Sequence, residues 1–385
     1  MAESAAIIEA GIIEAAISEA GISEPDDDVP VLLAIDGNSL VHRSFHSQAA
    51  TGLRGADGRP LWAIRGLLTQ LVAAVERVGP RAIVVGFDDP DRSVRRDRWP
   101  QYKAGRTEKL DTLVEQLTGA AEVLRAMGVA VIVPDGLEAD DVLASTASFA
   151  PTIGARTVIM TSDRDAFALI DEHTRVLRII NGGVEASPLL TPDRFVTMLG
   201  IHPRQYRDFA ALRGDPSDNL PGVRGIGPKT AAKLLATFGS ASAVFDTLAS
   251  DADRVAAAVG RTLAARLAEP AARQAWQLNC QVMAMHGDLE LGLSLTAGVG
   301  TLPLAAEAVR SAYAAHQLTW TAPAALRVLA HEDGPPQPAP PAQVWTSGPS
   351  DGGGYRGGRR YPPLPKPAEK VGRAAAAANQ LSLFD

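Results

Sequence analysis

Four apolar runs set the rhythm of the first half of the chain: VPVLLAIDG at 29–37, RAIVVGFDD at 81–89, VAVIVPDG at 129–136 and ARTVIMTSD at 155–163. Each is short, nearly continuous in aliphatic residues and closed by an acid, which is how a strand buried on both faces reads. Between them, LWAIRGLLTQLVAAVERV and LDTLVEQLTGAAEVLRAMG space their apolar residues at helical intervals. The alternation predicts an α/β domain with a parallel central sheet over 29–193. From about residue 193 the strand pattern fades and helical spacing takes over, predicting a helical domain over 194–325. A Gly-rich break, LPGVRGIGPKTAAKLL, lies near its start. Residues 326–385 turn to Pro, Gly, Ala and Arg, a composition that predicts a flexible linker. Residues 1–28 contain a degenerate five-residue repeat, AAIIEAGIIEAAISEAGISEP, whose Gly11 and Gly21 weaken a helix. They are expected to form an acidic, disordered extension.

At 385 residues the chain is long enough for two or three domains. Its net charge of -7 looks wrong for a nucleic-acid partner until it is divided. Residues 1–28 hold eight acids and no base, and residues 335–385 hold six bases and three acids, so the middle carries only -2. Charge therefore does not exclude nucleic acid. No apolar run is long enough for a membrane span, and the first 28 residues lack the basic start of a secretory signal. The single cysteine, Cys280, excludes an intramolecular disulfide and a Cys-based zinc cluster. A cytoplasmic location is expected.

The candidate chemistry lies in the acids that recur where strands end. Asp36 closes the first run and Asp88 the second. Glu138, Asp140 and Asp141 follow the third, Asp163 and Asp165 the fourth, and Asp215 and Asp218 precede the Gly-rich break. In a parallel sheet the first four groups share one edge, where ligands sit. Two carboxylates about 4 Å apart repel by roughly 4 kcal/mol at an effective dielectric near 20, so such a cleft needs cations. All-oxygen ligands suit Mg²⁺, or Mn²⁺ in its place, and several carboxylates around two such ions suit phosphodiester hydrolysis. Any one of these acids could instead be a turn former or helix cap; recurrence after four strands is what that alternative does not predict.

The Gly-rich break is not a nucleotide-binding loop, because Pro228 stands where the lysine should be. It reads better as a helix–hairpin–helix. Gly225 and Gly227 permit a tight turn, and backbone amides with Lys229, Thr230 and Lys233 could hold a phosphate backbone without reading sequence. Residues 92–109 hold seven bases and two acids with Trp99 and Tyr102 interleaved, a pattern for phosphates and unpaired bases, or for a solvated face. Arg43, Phe45 and His46 could also touch substrate. His42 and His46 lack partners for zinc.

Five blocks carry a resemblance: LLAIDGNSLVHRSFH, VVGFDDPDRSVRRDRWPQYKAGR, GLEADDVLA, TSDRDAFALI and GDPSDNLPGVRGIGPKTAAKLL. In this order, over roughly 29–300, they resemble the 5′-nuclease domain of bacterial DNA polymerase I and, more distantly, the flap endonucleases. The resemblance implies a PIN-like parallel-sheet nuclease domain followed by a helical helix–three-turn–helix DNA-binding domain. It implies a first metal position at Asp36, Asp88, Glu138, Asp140 and Asp141, and a second at Asp163, Asp165, Asp215 and Asp218. It also implies K⁺ at the turn of Gly225 and Gly227, and a role for Arg43, Tyr102, Lys103 and Arg106 in steering the scissile phosphate and the 5′ arm. The segment GRPLWAIRG departs from the family pattern and leaves duplex contacts there open.

The last residues, Gln380, Leu381, Ser382, Leu383 and Phe384, resemble the pentapeptide with which bacterial replication proteins dock on the sliding clamp. The expected protein is a stand-alone, monomeric, Mg²⁺-dependent 5′→3′ exonuclease and 5′-flap endonuclease that removes flaps and RNA primers in replication and repair. The alternative is a non-catalytic junction-binding protein tethered to the clamp. A small-molecule phosphatase fits less well, because Asn38 stands where that class wants a second Asp. A PIN-type RNA endonuclease would have no use for the helical half.

Overall fold

The structure, a computed structural model, describes residues 29–332 and, beyond them, only a backbone ladder between Tyr355–Arg356 and Arg359–Arg360. The acidic extension at 1–28 and the motif at 380–384 lie outside the described residues.

The expected parallel sheet is present. Strands β1 (Val31–Asp36), β2 (Ala82–Gly86), β3 (Ala130–Ile132) and β4 (Arg156–Thr161) fall on the four apolar runs. Two further strands, β5 (Thr174–Arg178) and β6 (Leu189–Leu190), complete the order β3-β2-β1-β4-β5-β6, with only β6 antiparallel. In register, Asp36 stands beside Gly86 and Ile35 beside Met160, so the carboxyl ends of β1, β2 and β4 lie level at one edge.

Helices α1 (Gly37–Gln48), α2 (Trp62–Val78), α3 (Val94–Arg98), α4 (Asp111–Ala126) and α5 (Ala139–Phe149) connect these strands. The helical half then runs through α6 (Pro192–Leu199), α7 (Tyr206–Arg213), α8 (Pro228–Phe238), α9 (Ala241–Ser250), α10 (Ala252–Val259), α11 (Arg261–Leu267) and α12 (Pro270–Val282). Their starts obey local rules. Thr191 caps α6 through a bond from the Arg194 amide, with Pro192 in the first turn, and Ser240 caps α9 through the Ala243 amide. None of the described helices is long and apolar enough to cross a membrane.

Alternation along the strands builds two cores. Leu33 and Ile35 face one side with Ile83, Val85 and Met160, under α1, α2 and α4. Leu32 and Ala34 face the other with Val84, Ile159 and Val176, under α5 and the helices from α6 onward. The division expected at 193/194 is therefore not a division of the core, because the helical half is the layer that covers the second face of the sheet. Helices α13 (Ala306–Ala315) and α14 (Ala322–Leu329), expected within the helical domain or its linker, return to the first face, where Val309, Tyr313, Ala325 and Leu329 pack with α2.

Candidate active site

The strand-end acids are held by short-range bonds that fix where each carboxylate sits. Asp36, the last residue of β1, caps α1: one oxygen accepts from the Ser39 amide at 2.9 Å and the other from the Thr161 hydroxyl at 2.7 Å. The helix-cap reading of Asp36 is therefore correct, and the cap holds its carboxyl at the carboxyl edge of the sheet. Asp88 follows β2, accepts from the Ala139 amide at 3.0 Å and from the Asn38 side chain at 2.6 Å, and its own amide donates back to Asn38. These bonds tie the ends of three strands and the start of α5 into one rim.

Electrostatics bring more acids to that rim. Burial is the largest cause that pushes the Asp36 carboxyl up to about 7, and Asp163 and Asp88 add to it against the bonds from Ser39 and Thr161. Asp140, in the first turn of α5, is raised well above the usual carboxylate range by burial and then by Asp163, Asp36 and Asp165. Asp165 is raised likewise by burial and then by Asp163, Asp215 and Asp218. Two overlapping groups result, one around Asp36, Asp88 and Asp140 and one around Asp165, Asp215 and Asp218, with Asp163 felt in both. Among the described residues no three of these side chains close into a ready-made coordination shell. The donor chemistry nevertheless fits hard cations: the oxygens are all carboxylate, and their mutual repulsion is what such ions relieve.

Part of the acidic set is already offset by the chain's own cations. Glu138, at the start of α5, accepts from Lys103 Nζ at 2.9 Å, from Arg95 at 2.9 Å and from the Tyr102 hydroxyl at 3.0 Å. Burial opposes its ionisation, but Lys103 and Arg95 hold it below the usual range. Asp218 is paired with Arg106, and the Lys103 amide donates to the Asp218 carbonyl at 2.9 Å. Lys103 adopts a left-handed conformation at φ 57°, uncommon outside glycine, so the 101–106 turn is locked onto the 215–220 turn by these bonds. Asp215 accepts from the Ser217 amide and hydroxyl.

Two of the expected site residues are engaged within the chain. Asp141 is one of them. It is fully buried, takes a bidentate pair from Arg95 at 2.7 and 2.9 Å, and accepts from the Glu138 and His286 amides, so its oxygens are already used. Adjacent acids on a helix point apart, and only Asp140 faces the rim. Tyr102 is the other, with its ring turned into the chain. It is buried in a small cluster with Leu220 and Val282, and its hydroxyl reaches Glu138.

Arg43, on α1, donates through its guanidinium to Asn181 Oδ1 at 2.9 Å. The Gly-rich turn leads into α8: Gly225 is at φ +87°, Gly227 is the residue before the helix, and Lys229 and Lys233 are exposed one turn apart beside half-buried Thr230. Sequence reasoning missed Arg95 as an anchor and Asn38 and Thr161 as supports. Arg95 was masked by its basic neighbours, whereas Asn38, two residues after Asp36, was visible.

Family models match most of these elements: the N-terminal resolvase-like domain of 5′-3′ exonucleases over residues 31–200, and their C-terminal SAM fold over 201–301. The chain belongs to the 5′-3′ exonuclease family. The chain is 40% identical over 239 residues to DNA polymerase I of Mycobacterium tuberculosis, covering 62% of this chain and 26% of that protein. It is 37% identical over 236 residues to the thermostable DNA polymerase I of Thermus aquaticus, covering 61% and 27%. The chain thus spans about a quarter of the length of the curated relatives it matches. Among solved structures, the zinc-bound bacteriophage T5 5′-exonuclease has a similar fold at a TM-score of 0.53 and 19% identity, covering 66% of this chain and 90% of that one. Human GEN1 in complex with Holliday junction DNA does so at 0.51 and 13%, covering 78% and 73%. The expected fold class, a PIN-like parallel-sheet α/β domain followed by a helical domain, is the one observed, and the helical part matches the family's SAM fold.

Proposed function

We propose that this chain is a divalent-metal-dependent 5′→3′ exonuclease and structure-specific 5′-flap endonuclease, working as a monomer on DNA with 5′ flaps or ends and on RNA primers. The observation that carries this reading is the pair of overlapping acidic groups along the carboxyl edge of β1, β2 and β4, joined at Asp163. Asp36, Asp88, Glu138 and Asp140 would hold one Mg²⁺, and Asp163, Asp165, Asp215 and Asp218 another, with Mn²⁺ able to substitute. Bound there, the ions supply an acidified water and charge relief for the departing 3′ oxygen.

The chain's own residues do the rest. Thr161 and Asn38 fix the Asp36 and Asp88 carboxylates in one orientation, so no reorganisation is needed when substrate arrives. Lys103 and Arg106 rest on Glu138 and Asp218 and offset charge on a phosphate brought to the same place. Arg43 would add a further guanidinium for the phosphate. Backbone amides at the start of α8, with Thr230, Lys229 and Lys233, hold the duplex backbone, and K⁺ would fit the turn at Gly225 and Gly227. The segment Gln380–Phe384 would dock the enzyme on the replication sliding clamp, and the setting would be the cytoplasm, in primer removal and repair.

The test is cleavage of a 5′-labelled flap duplex with and without Mg²⁺, wild type beside Asp163→Asn. Mg²⁺-dependent junction cutting, slowed at least about 100-fold in the variant, is expected. Tight flap binding by the wild type without cutting, in Mg²⁺ or Mn²⁺, would replace the enzyme with a junction-binding protein.

A further inference from the structure

At the edge of the sheet opposite the carboxylates, the amino-terminal ends of β1, β4 and β5 open into a cleft of about 1490 Å³. Among the described residues, Arg77, Arg81, Arg156, Arg175, Arg194 and Arg327 line it together with the acid Glu76. Arg77 donates to the carbonyl oxygens of Val184 and Ser187, and Arg194 to that of Leu189. Carbonyls hold a guanidinium without neutralising it. Arg327 pairs with Glu76 at 2.8 Å. Aliphatic wall lies between the arginines, with Val31, Val158, Leu177 and Leu295 among it. The nuclease reading gives this face no task.

Val29 and Pro30 line the same cleft, so the 28 residues that precede them are tethered at its rim. Those residues carry eight acids and no base. They repeat isoleucine followed by glutamate: Ile8 and Glu9, Ile13 and Glu14, Ile17 and Glu19, Ile22 and Glu24. The segment thus mixes acid with aliphatic side chain as the cleft mixes arginine with aliphatic wall. Fully extended it reaches about 90 Å, far more than needed to lie along its own anchor point. A tether that short gives millimolar effective concentration, at which weak individual ion pairs suffice.

We infer that the acidic extension 1–28 docks into this arginine-lined cleft of its own chain, its glutamates on the guanidinium groups and its isoleucines on the aliphatic wall. The contact is electrostatic in range and intramolecular in kind. It therefore weakens with salt and does not depend on protein concentration.

The test uses the full chain and a Glu-specific endoprotease, with cleavage after Glu14 and Glu19 followed by mass spectrometry. A separately made 1–28 peptide sets the unprotected rate in each buffer. Cleavage in the wild type should be at least about tenfold slower than in the peptide, and 1 M NaCl should remove that protection. The double variant Arg81→Glu, Arg175→Glu, with folding checked by its melting curve, should also lose it. Equal rates in chain and peptide at low salt overturn the proposal. So does protection that survives 1 M NaCl, or protection that disappears on dilution, which would mean a second copy supplies the cleft. If the double variant does not fold, the salt comparison on the wild type decides alone.

Discussion

Arg95 is the side chain on which the acidic rim depends mechanically. It reaches Glu138, both oxygens of Asp141 and the Ala284 carbonyl, and both it and Asp141 are almost or wholly out of water. Removing one member of a buried pair leaves the other charge unpaired, which costs about 3–5 kcal/mol. Arg95→Ala should therefore lose stability of that order in urea unfolding, and a loss under about 1 kcal/mol would show that water reaches Asp141. Asp36 makes the second prediction. Its carboxyl, raised to about 7 mainly by burial, favours the protonated form in the folded chain. Its stabilising contribution is full below the ordinary carboxylate value near 4 and is lost as pH rises through 7. His42 works in the opposite sense, since burial lowers it to about 4 and stability is recovered as pH rises toward 6.5. The Asp36 effect is therefore read as a difference: in EDTA, Asp36→Asn should gain in Tm over wild type as pH rises from 5 to 8. A constant difference would contradict the burial argument.

The turn that leads into α8 shows how tightly one loop constrains another. The short ladder of β7 (Gly214–Asp215) with β8 (Leu220–Pro221) carries Asp215 on its first arm and Asp218 in the turn between the arms. A Cβ on Gly222 would sit 2.1 Å from the Arg213 carbonyl oxygen, with backbone on every near side. Gly222→Ala should lower Tm by about 5 °C or more and weaken cleavage with it, whereas an unchanged Tm would mean the ladder has room to open. The exposed pair Lys229 and Lys233 tests the proposed grip on DNA: Lys229→Glu with Lys233→Glu should weaken duplex binding at every sequence and reduce the slope of log K against log salt by about two. An unchanged slope would put the duplex elsewhere. Much of this was legible in the chain. Continuous aliphatic runs marked β1 to β4, and acids at their ends marked the rim, because both follow from local chemistry. β5 was not, since Thr174, Arg175 and Arg178 interrupt its apolar residues and pairing with β4 and β6 makes it a strand. Nor could spacing separate Asp140 from Asp141, or show Tyr102 turned inward, because each outcome depends on a partner distant in sequence: Arg95 for Asp141, Leu220 and Val282 for Tyr102.

Across the whole molecule the two halves are joined by their apolar interior rather than by a hinge. Phe167 follows β4, and Phe195 and Tyr206 belong to α6 and α7, yet the three rings meet edge to face at 5.4 to 5.8 Å. Phe209 extends the stack from Tyr206 at 5.8 Å. This cluster crosses the residue at which composition first places a boundary. Cutting there would strip Phe195, Tyr206 and Phe209 from the face formed by Leu32, Ala34, Ile159 and Val176, all buried in the intact chain. A sheet face of that size left bare favours association over a folded monomer. The α13–α14 pair makes the same point on the other face, since Val309, Tyr313 and Leu329 close the core over α2 from more than 200 residues away in sequence. A fragment of residues 29–193 should therefore lack a cooperative melting transition and bind a hydrophobic dye strongly, while the full chain melts in one transition across its sheet and its helices. A fragment that melts cooperatively, with the acid rim still able to take up Mg²⁺, would show that the sheet is an autonomous domain and that the helical layer is an addition to it.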